Sequence, residues 1–214
     1  MITEVEKDVD HIGANPFTTE VRVTSYQIDL ESLFMRCGFD RKDKEDRIEK
    51  HFGVPIPECC LTPSVIDKDG IEIEYQRGLV WSLEQKQLLI ESIYNHVEIG
   101  KFVIRKRSWN WVERRVKEKK IAHTGFSDLV DGKQRFTSLI DFYQNRFPDL
   151  HGNYFSDLSA KAQREFTRYR HLTYVELDED ATDSDTLHTF LSINFAGVPM
   201  SREHLHFVKS IKLK

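Results

Sequence analysis

The sequence contains no long apolar run. None of its windows approaches the roughly 18 consecutive apolar residues that a membrane-spanning helix requires. The first twenty residues carry acidic groups where a secretory signal would be basic and then apolar. We therefore expect a cytoplasmic protein without a membrane anchor.

Cysteine is scarce as well. The three cysteines, Cys37, Cys59 and Cys60, show neither CxxC spacing nor a histidine at zinc-finger spacing. This pattern argues against a disulfide framework and against a zinc ribbon, and it favours buried thiols. A surplus of positive charge is also absent, because 31 lysines and arginines stand against 35 aspartates and glutamates, a net charge of −4. A uniformly basic nucleic-acid coat protein is excluded.

The length and composition of the chain suit one substantial domain. The chain has 214 residues, of which 39% are hydrophobic and 31% charged. Predicted helices and short strands alternate irregularly and no repeat is visible, so we predict a single α+β domain with a small mixed sheet surrounded by helices. Residues 1–20 lack periodicity and are predicted to be a loose N-terminal arm. The predicted domain, residues 21–214, carries a charged insertion near 40–70.

Basic residues are concentrated in one stretch. Residues 101–120 contain nine lysines and arginines against two glutamates, interleaved with aromatic residues. Such a stretch would follow a phosphate backbone, with rings available for stacking. It equally suits a solvated amphipathic helix, because Trp109, Val112 and Val116 recur at helical spacing. The candidates for nucleic-acid contact are Arg105, Lys106, Arg107, Arg114 and Arg115.

The pentapeptide DGKQR, residues 131–135, is the most informative motif. It follows a predicted buried strand at 126–130 and precedes a helix predicted to begin near Gln134. A strand, tight turn and helix in this order present backbone N–H groups to an anion. Arginine grips an oxyanion with two hydrogen bonds, lysine adds a point charge, and aspartate holds a divalent ion or orients water. A DG turn with flanking charges is also an ordinary surface loop.

Two further clusters carry polar groups at the ends of predicted elements. In the first, Gln76 and Arg77 end a predicted strand, and Trp81 precedes a helix whose capping box is Ser82 with Gln85. Alternatively, Trp81 anchors the hydrophobic core and Arg77 forms an ion pair with a carboxylate. The second cluster, residues 194–201, begins with Asn194 and is otherwise a simple connection between two helices.

Taken together and in this order, the three clusters resemble one family. The stretches YQRGLVWSLEQKQLLIESI, LVDGKQRFTSLIDF and LHTFLSINFAGVPMSREHL span about 130 residues. They are similar to the DGQQR domain of the ParB/sulfiredoxin-like superfamily, which forms the N-terminal part of GmrSD-type restriction endonucleases. In this sequence Lys133 replaces the first glutamine of the motif, and His204 stands where the family usually has glutamate.

The resemblance implies a ParB-like α+β domain that binds, and in several relatives hydrolyses, a nucleoside triphosphate with Mg²⁺. It implies catalytic roles for Asp131, Gln134 and Arg135, with Asp131 also holding the metal. The residues expected to contact the nucleotide are Gln76, Arg77, Gly132, Lys133 and Asn194.

The leading hypothesis is therefore a Mg²⁺-dependent nucleoside triphosphatase related to restriction or phage defence. The alternative is a non-catalytic module that binds nucleic acid or a partner protein through the basic stretch, and a metal-dependent DNA nuclease ranks third. In the relatives a nuclease half adjoins this domain. Since no convincing nuclease motif occurs here, we expect a separate nuclease subunit or another restriction-system protein as a partner, besides the nucleotide and DNA.

Overall fold

The structure, a computed structural model, describes residues 23–39, 42–169, 172–196 and 201–213. The predicted arm at 1–20 lies outside these residues. The strands are β1 (Val23–Ile28), β2 (Cys59–Cys60), β3 (Ser64–Ile66), β4 (Glu72–Glu74), β5 (Phe102–Lys106), β6 (Ser127–Asp131) and β7 (Leu172–Leu177). The α-helices are α1 (Leu30–Arg36), α2 (Lys42–Phe52), α3 (Leu83–Tyr94), α4 (Trp109–Lys117), α5 (Lys133–Tyr143), α6 (Ala160–Thr167), α7 (Asp183–Ala196) and α8 (Arg202–Ser210).

Five of the strands form one mixed sheet in the order β1-β7-β5-β6-β2. The pairs β1 with β7 and β5 with β6 are antiparallel, whereas β7 with β5 and β6 with β2 are parallel. Strands β3 and β4 form a separate antiparallel pair. The predicted α+β class with a mixed sheet is confirmed. No helix of the described ranges is long and apolar enough to span a membrane.

The central strands are buried on both faces, which their sequences explain. Along β5, Phe102 and Ile104 pack into one hydrophobic cluster with α1, α3, α5 and α6, while Val103 packs into a second cluster with α7 and α8. Strand β6 divides in the same way, with Leu129 in the first cluster and Val130 in the second. Side chains alternate between the faces of a strand, so an unbroken apolar run is typical of a strand covered on both sides.

Local signals set the helix bounds around the sheet. The predicted capping box at the start of α3 is present, because the Ser82 hydroxyl accepts from Gln85 N–H and the Gln85 side chain accepts from Ser82 N–H. The Ser201 hydroxyl caps α8 by accepting from His204 N–H. Gly38, with a φ of 80°, follows α1 in the left-handed conformation that favours glycine. These signals fix where α3 and α8 begin and where α1 ends.

Candidate functional site

A cleft of about 650 Å³ lies beside the turn between β6 and α5. The three sequence clusters meet there although they are far apart in the chain. Every residue predicted to contact the nucleotide or act in catalysis lines this cleft: Gln76, Arg77, Asp131, Gly132, Lys133, Gln134, Arg135 and Asn194. The sheet places the end of β6 between β5 and β2, while β4 and α7 supply the flanking segments.

The turn itself depends on Gly132. This residue is the N-cap of α5 and has a φ of 104°, a conformation that side-chain-bearing residues rarely adopt. A Cβ at this position would lie 2.6 Å from Cδ1 of Phe102. The described residues provide no side-chain cap at this end of α5. The turn therefore brings backbone close to Phe102 and leaves the helix N–H groups without a capping side chain.

Arg135 is held by the protein rather than presented as a free cation. Its Nη2 donates to Asp131 Oδ2 at 2.7 Å and to the Lys101 carbonyl at 2.8 Å, and its Nη1 donates to the Ile99 carbonyl at 2.8 Å. The guanidinium also lies over the Phe102 ring, 5.0 Å from its centroid. These contacts hold Asp131 and the segment before β5 in place, and the direct grip of Arg135 on a phosphate stays a prediction.

Asp131 is a carboxylate in a largely buried position. Burial raises its pKa, and the Arg135 guanidinium and the Gly132 N–H oppose this effect without cancelling it. Arg77 acts in the same direction as Arg135 on the pKa of Asp131. A carboxyl group with a raised pKa is a better proton acceptor than a free aspartate. This environment suits the catalytic role that was expected of Asp131.

Gln134 bridges to the loop that follows Gln76. Its Oε1 accepts from Val80 N–H at 3.0 Å and from Trp81 N–H at 3.3 Å, and its Nε2 donates to the Gly78 carbonyl at 2.7 Å. The amide thus satisfies three backbone groups of one loop. This arrangement makes Gln134 a positioning residue that holds the 78–81 loop at the cleft, which differs from the catalytic role expected of it.

The contacts of Gln134 yield a first prediction. In Gln134→Ala the amide hydrogens of Val80 and Trp81 lose their acceptor, and we expect their exchange with solvent to accelerate by about tenfold. Native-state hydrogen exchange measures this directly. Gln144→Ala, at the exposed C-terminal end of the same helix, is the matched control and leaves both rates unchanged. Unchanged exchange in Gln134→Ala would contradict the bridging role.

The cations of the cleft divide into paired and available ones. Lys133 Nζ lies 3.1 Å from Glu74 Oε1, so its charge is already paired. Arg77 and Lys101 are exposed, and neither is within ion-pair distance of a carboxylate of the described residues. Sequence reasoning placed Lys101 in the basic stretch and did not connect it with the cleft. The available positive charge is therefore on Arg77 and Lys101.

The rest of the cleft wall is mainly apolar. Its members are Trp81, Leu88, Leu89, Ile99, Phe190 and Ile193. Such a wall opposite charged groups is the usual composition of a site for a small amphipathic ligand. The sequence analysis identified Trp81 as a site or core residue and did not connect the others with the cleft.

Two polar residues on the wall have a buried acceptor atom without a partner among the described residues: Gln76 Oε1 and His204 Nε2. Gln76 is 8% exposed, and its Nε2 donates to the carbonyls of Leu129 and Val130. Asn194 Nδ2 donates to the Phe190 carbonyl one turn earlier in α7.

The predicted basic face is corrected by burial. Arg105, Arg107 and Arg115 are buried, and the reason is that each forms an ion pair inside the fold. Their partners are Asp183 for Arg105 at 2.7 Å, Asp128 for Arg107 at 2.7 Å, and Glu72 for Arg115. Lys106 pairs with Glu176 at 2.6 Å, and only Arg114 is exposed without an ion pair to another described residue. Three of the nine basic residues of the 101–120 stretch are therefore internal, and the other six are exposed.

The described residues contain no cluster of three or more metal-ligating side chains. Asp131 and Glu98 are the carboxylates among the residues that line the cleft. Mg²⁺ is commonly bound through one or two carboxylates together with the phosphates of its nucleotide. With Asp131 as the carboxylate, these residues fit a metal that arrives with a nucleotide, and they do not fit a metal held by protein ligands alone.

The fold and the cleft define an α+β domain with a strand, glycine turn and helix at a concave site. Residues 65–209 match the family model described as the N-terminal domain of the GmrSD restriction endonuclease. The match covers more than half of the chain, and the chain belongs to this family, as the sequence resemblance predicted. Comparisons with curated proteins and with solved structures gave no significant match. All the residues that line the cleft, from Gln76 to His204, lie within the matched segment.

Proposed function

We propose that the cleft binds a nucleoside triphosphate with Mg²⁺ and hydrolyses it. One observation carries this proposal: three distant segments bring the available cations Arg77 and Lys101 and the half-buried carboxylate of Asp131 to a helix start without a capping side chain. An apolar wall faces these groups. The volume of about 650 Å³ is in the range of small-molecule sites.

The charged groups suggest where the triphosphate lies. The first N–H groups of α5 and the side chains of Arg77 and Lys101 would contact phosphate oxygens, because helix starts and cations both favour anions. Trp81 and the neighbouring apolar side chains would receive the base, since an aromatic ring stacks on any nucleobase. Gln134 and Arg135 would keep the two loops in place, which reduces the conformational entropy lost on binding.

Hydrolysis would proceed through Asp131. A water oxygen attacks the γ-phosphorus, the bond to the β–γ bridging oxygen breaks, and the water proton passes to the Asp131 carboxylate and then to solvent. Asp131 would also contact a phosphate-bound Mg²⁺, which supplies charge neutralisation on the phosphate oxygens. Arg77 and Lys101 would stabilise the charge that develops on the transferred group and on the leaving diphosphate.

The test is phosphate release from ATP, GTP, CTP and UTP in the presence of Mg²⁺. We expect the protein to hydrolyse at least one of them, and we expect Arg77→Gln to lower kcat/KM by about tenfold or more because it removes a cation from the phosphates. Lys161→Gln, an exposed lysine outside the cleft, is the matched control. Absence of both turnover and calorimetric binding for all four nucleotides would contradict the proposal.

Membership in a restriction endonuclease family gives the hydrolysis a context. We propose that nucleotide turnover in this domain is coupled to a nuclease activity supplied by another domain or subunit of a restriction system. The alternative of a nucleic-acid module based on the basic stretch has less support, because three of its five candidate residues are buried in ion pairs.

A further inference from the structure

Gln76 lines the cleft and has a buried side-chain oxygen whose orientation is fixed by the amide nitrogen. Its Nε2 donates to the Leu129 carbonyl at 2.5 Å and to the Val130 carbonyl at 2.8 Å. Both partners are acceptors, so only the nitrogen of the amide can face them, and Oε1 must point to the other side. This oxygen is buried and has no partner among the described residues, although Gln76 lines the cleft.

His204, a second residue of the same cleft, also has a buried side-chain atom without a partner among the described residues. Its imidazole hydrogen-bonds the backbone of Tyr75, the residue before Gln76, and its Nε2 is buried without a partner in the described part of the chain. Desolvation lowers the pKa of His204, the Tyr75 hydrogen bond raises it, and the charge of Arg77 lowers it, with a net decrease. A lowered pKa favours the neutral ring at pH 7, and a neutral imidazole has one nitrogen that accepts a hydrogen bond.

Two neighbouring acceptors on one wall call for hydrogen-bond donors from a ligand. Buried polar atoms in native structures are nearly always paired. The donors of a nucleotide are its ribose hydroxyls and the N–H groups of its base. Gln76 is bonded to Leu129 and Val130, which directly precede the phosphate-binding turn at Asp131. The sugar is the part of a nucleotide that adjoins the phosphates, so the hydroxyls lie closer to this wall than the base does.

We propose that Gln76 Oε1 and His204 Nε2 accept hydrogen bonds from the ribose hydroxyls of the bound nucleotide, so that the cleft selects ribonucleotides over deoxyribonucleotides. This inference rests on the proposed nucleotide site and adds its sugar specificity. It assigns a binding role to His204, at the position where the sequence departs from the family pattern. Arg77 and Lys101 then hold the phosphates, and the apolar wall is left for the base.

The test is calorimetric titration of the full chain with the nucleotide that binds best and with its 2′-deoxy and 3′-deoxy forms, each with Mg²⁺ at pH 7.5. We expect the wild type to bind the ribonucleotide about tenfold more tightly than at least one deoxy form, the effect of one lost hydrogen bond in a desolvated site. His204→Phe retains an aromatic ring without the acceptor, and we expect its preference to fall to about twofold or less. His204→Gln restores an acceptor and is expected to recover part of the preference.

The outcomes separate this inference from the proposed function. Equal affinity of the wild type for ribo and deoxy forms would overturn the ribose assignment while leaving the nucleotide site intact. If the protein distinguishes only the bases, the hydrogen-bond donors to Gln76 and His204 belong to the base. A ribose preference that His204→Phe leaves unchanged would remove His204 from the contact. Absence of binding for every nucleotide would overturn the nucleotide site together with this inference. If His204→Phe fails to fold, two measurements still test the ribose assignment: the affinities of the wild type for the ribo and deoxy forms, and the same affinities of His204→Gln.

Discussion

Asp131→Asn is expected to lower kcat for triphosphate hydrolysis by about 100-fold or more, the usual effect of removing a general base. Asparagine has nearly the same shape and still accepts the hydrogen bond from Arg135 at the position of Oδ2, but it cannot take a proton from water. Phosphate release under saturating nucleotide measures the effect, and calorimetric affinity is expected to change much less than kcat.

The matched control for Asp131→Asn is Glu98→Gln, because Glu98 is the exposed carboxylate of the same cleft. We expect it to retain kcat within about twofold, since it lies outside the turn and has no comparable burial. Thermal unfolding of both variants shows whether the proteins are folded. A kcat for Asp131→Asn that equals the wild-type value would show that Asp131 has no catalytic role.

Gly132→Ala is expected to reduce the free energy of unfolding by about 2–5 kcal/mol, in two contributions. The left-handed φ of 104° costs a residue with a Cβ about 1–2 kcal/mol. The new Cβ would also lie 2.6 Å from the buried Phe102 ring, and such overpacking costs about 1–3 kcal/mol. Urea denaturation measures the sum.

Two other glycines separate these contributions. Gly152 has a φ of 84°, and a Cβ added there would meet no atom within 4 Å, so Gly152→Ala reports the backbone cost alone. Gly78 has open space and no positive φ, and we expect Gly78→Ala to change stability by less than about 0.5 kcal/mol. Equal effects at Gly132 and Gly152 would contradict a steric contribution from Phe102.

Much of the fold could be predicted because its signals are local. Ser82 and Gln85 are three residues apart, so their capping box can be recognised from sequence alone. The apolar pair Leu129 and Val130 likewise indicates a buried strand, which was predicted at 126–130 and lies at Ser127–Asp131. The helix predicted to begin near Gln134 begins at Lys133.

The roles of individual site residues could not be predicted, because their contacts join remote segments. Gln134 binds a loop more than fifty residues earlier, and Arg135 binds carbonyls more than thirty residues earlier. Sequence alone shows an amide and a cation at a helix start, which fit a ligand contact equally well. Only the fold shows that their donors and acceptors are occupied by backbone groups.

The burial of three arginines of the basic stretch, Arg105, Arg107 and Arg115, could not be predicted for the same reason. Local composition counts charges but does not locate their partners, and Glu72, Asp128 and Asp183 come from three other segments. Arginine is well suited to buried ion pairs, since its planar group forms several hydrogen bonds at once. A surplus of arginine between strands therefore indicates an internal network as readily as an exposed basic face.

The most direct test of the proposed nucleotide site is a crystal structure of the protein with Mg²⁺ and a non-hydrolysable nucleoside triphosphate. We predict phosphate density at the start of α5, in contact with the Gly132 turn, Arg77 and Lys101, and the sugar beside Gln76 and His204. Nucleotide bound at another surface, or none in crystals grown at millimolar analogue with the cleft open to solvent, would contradict the assignment of this cleft as the nucleotide site.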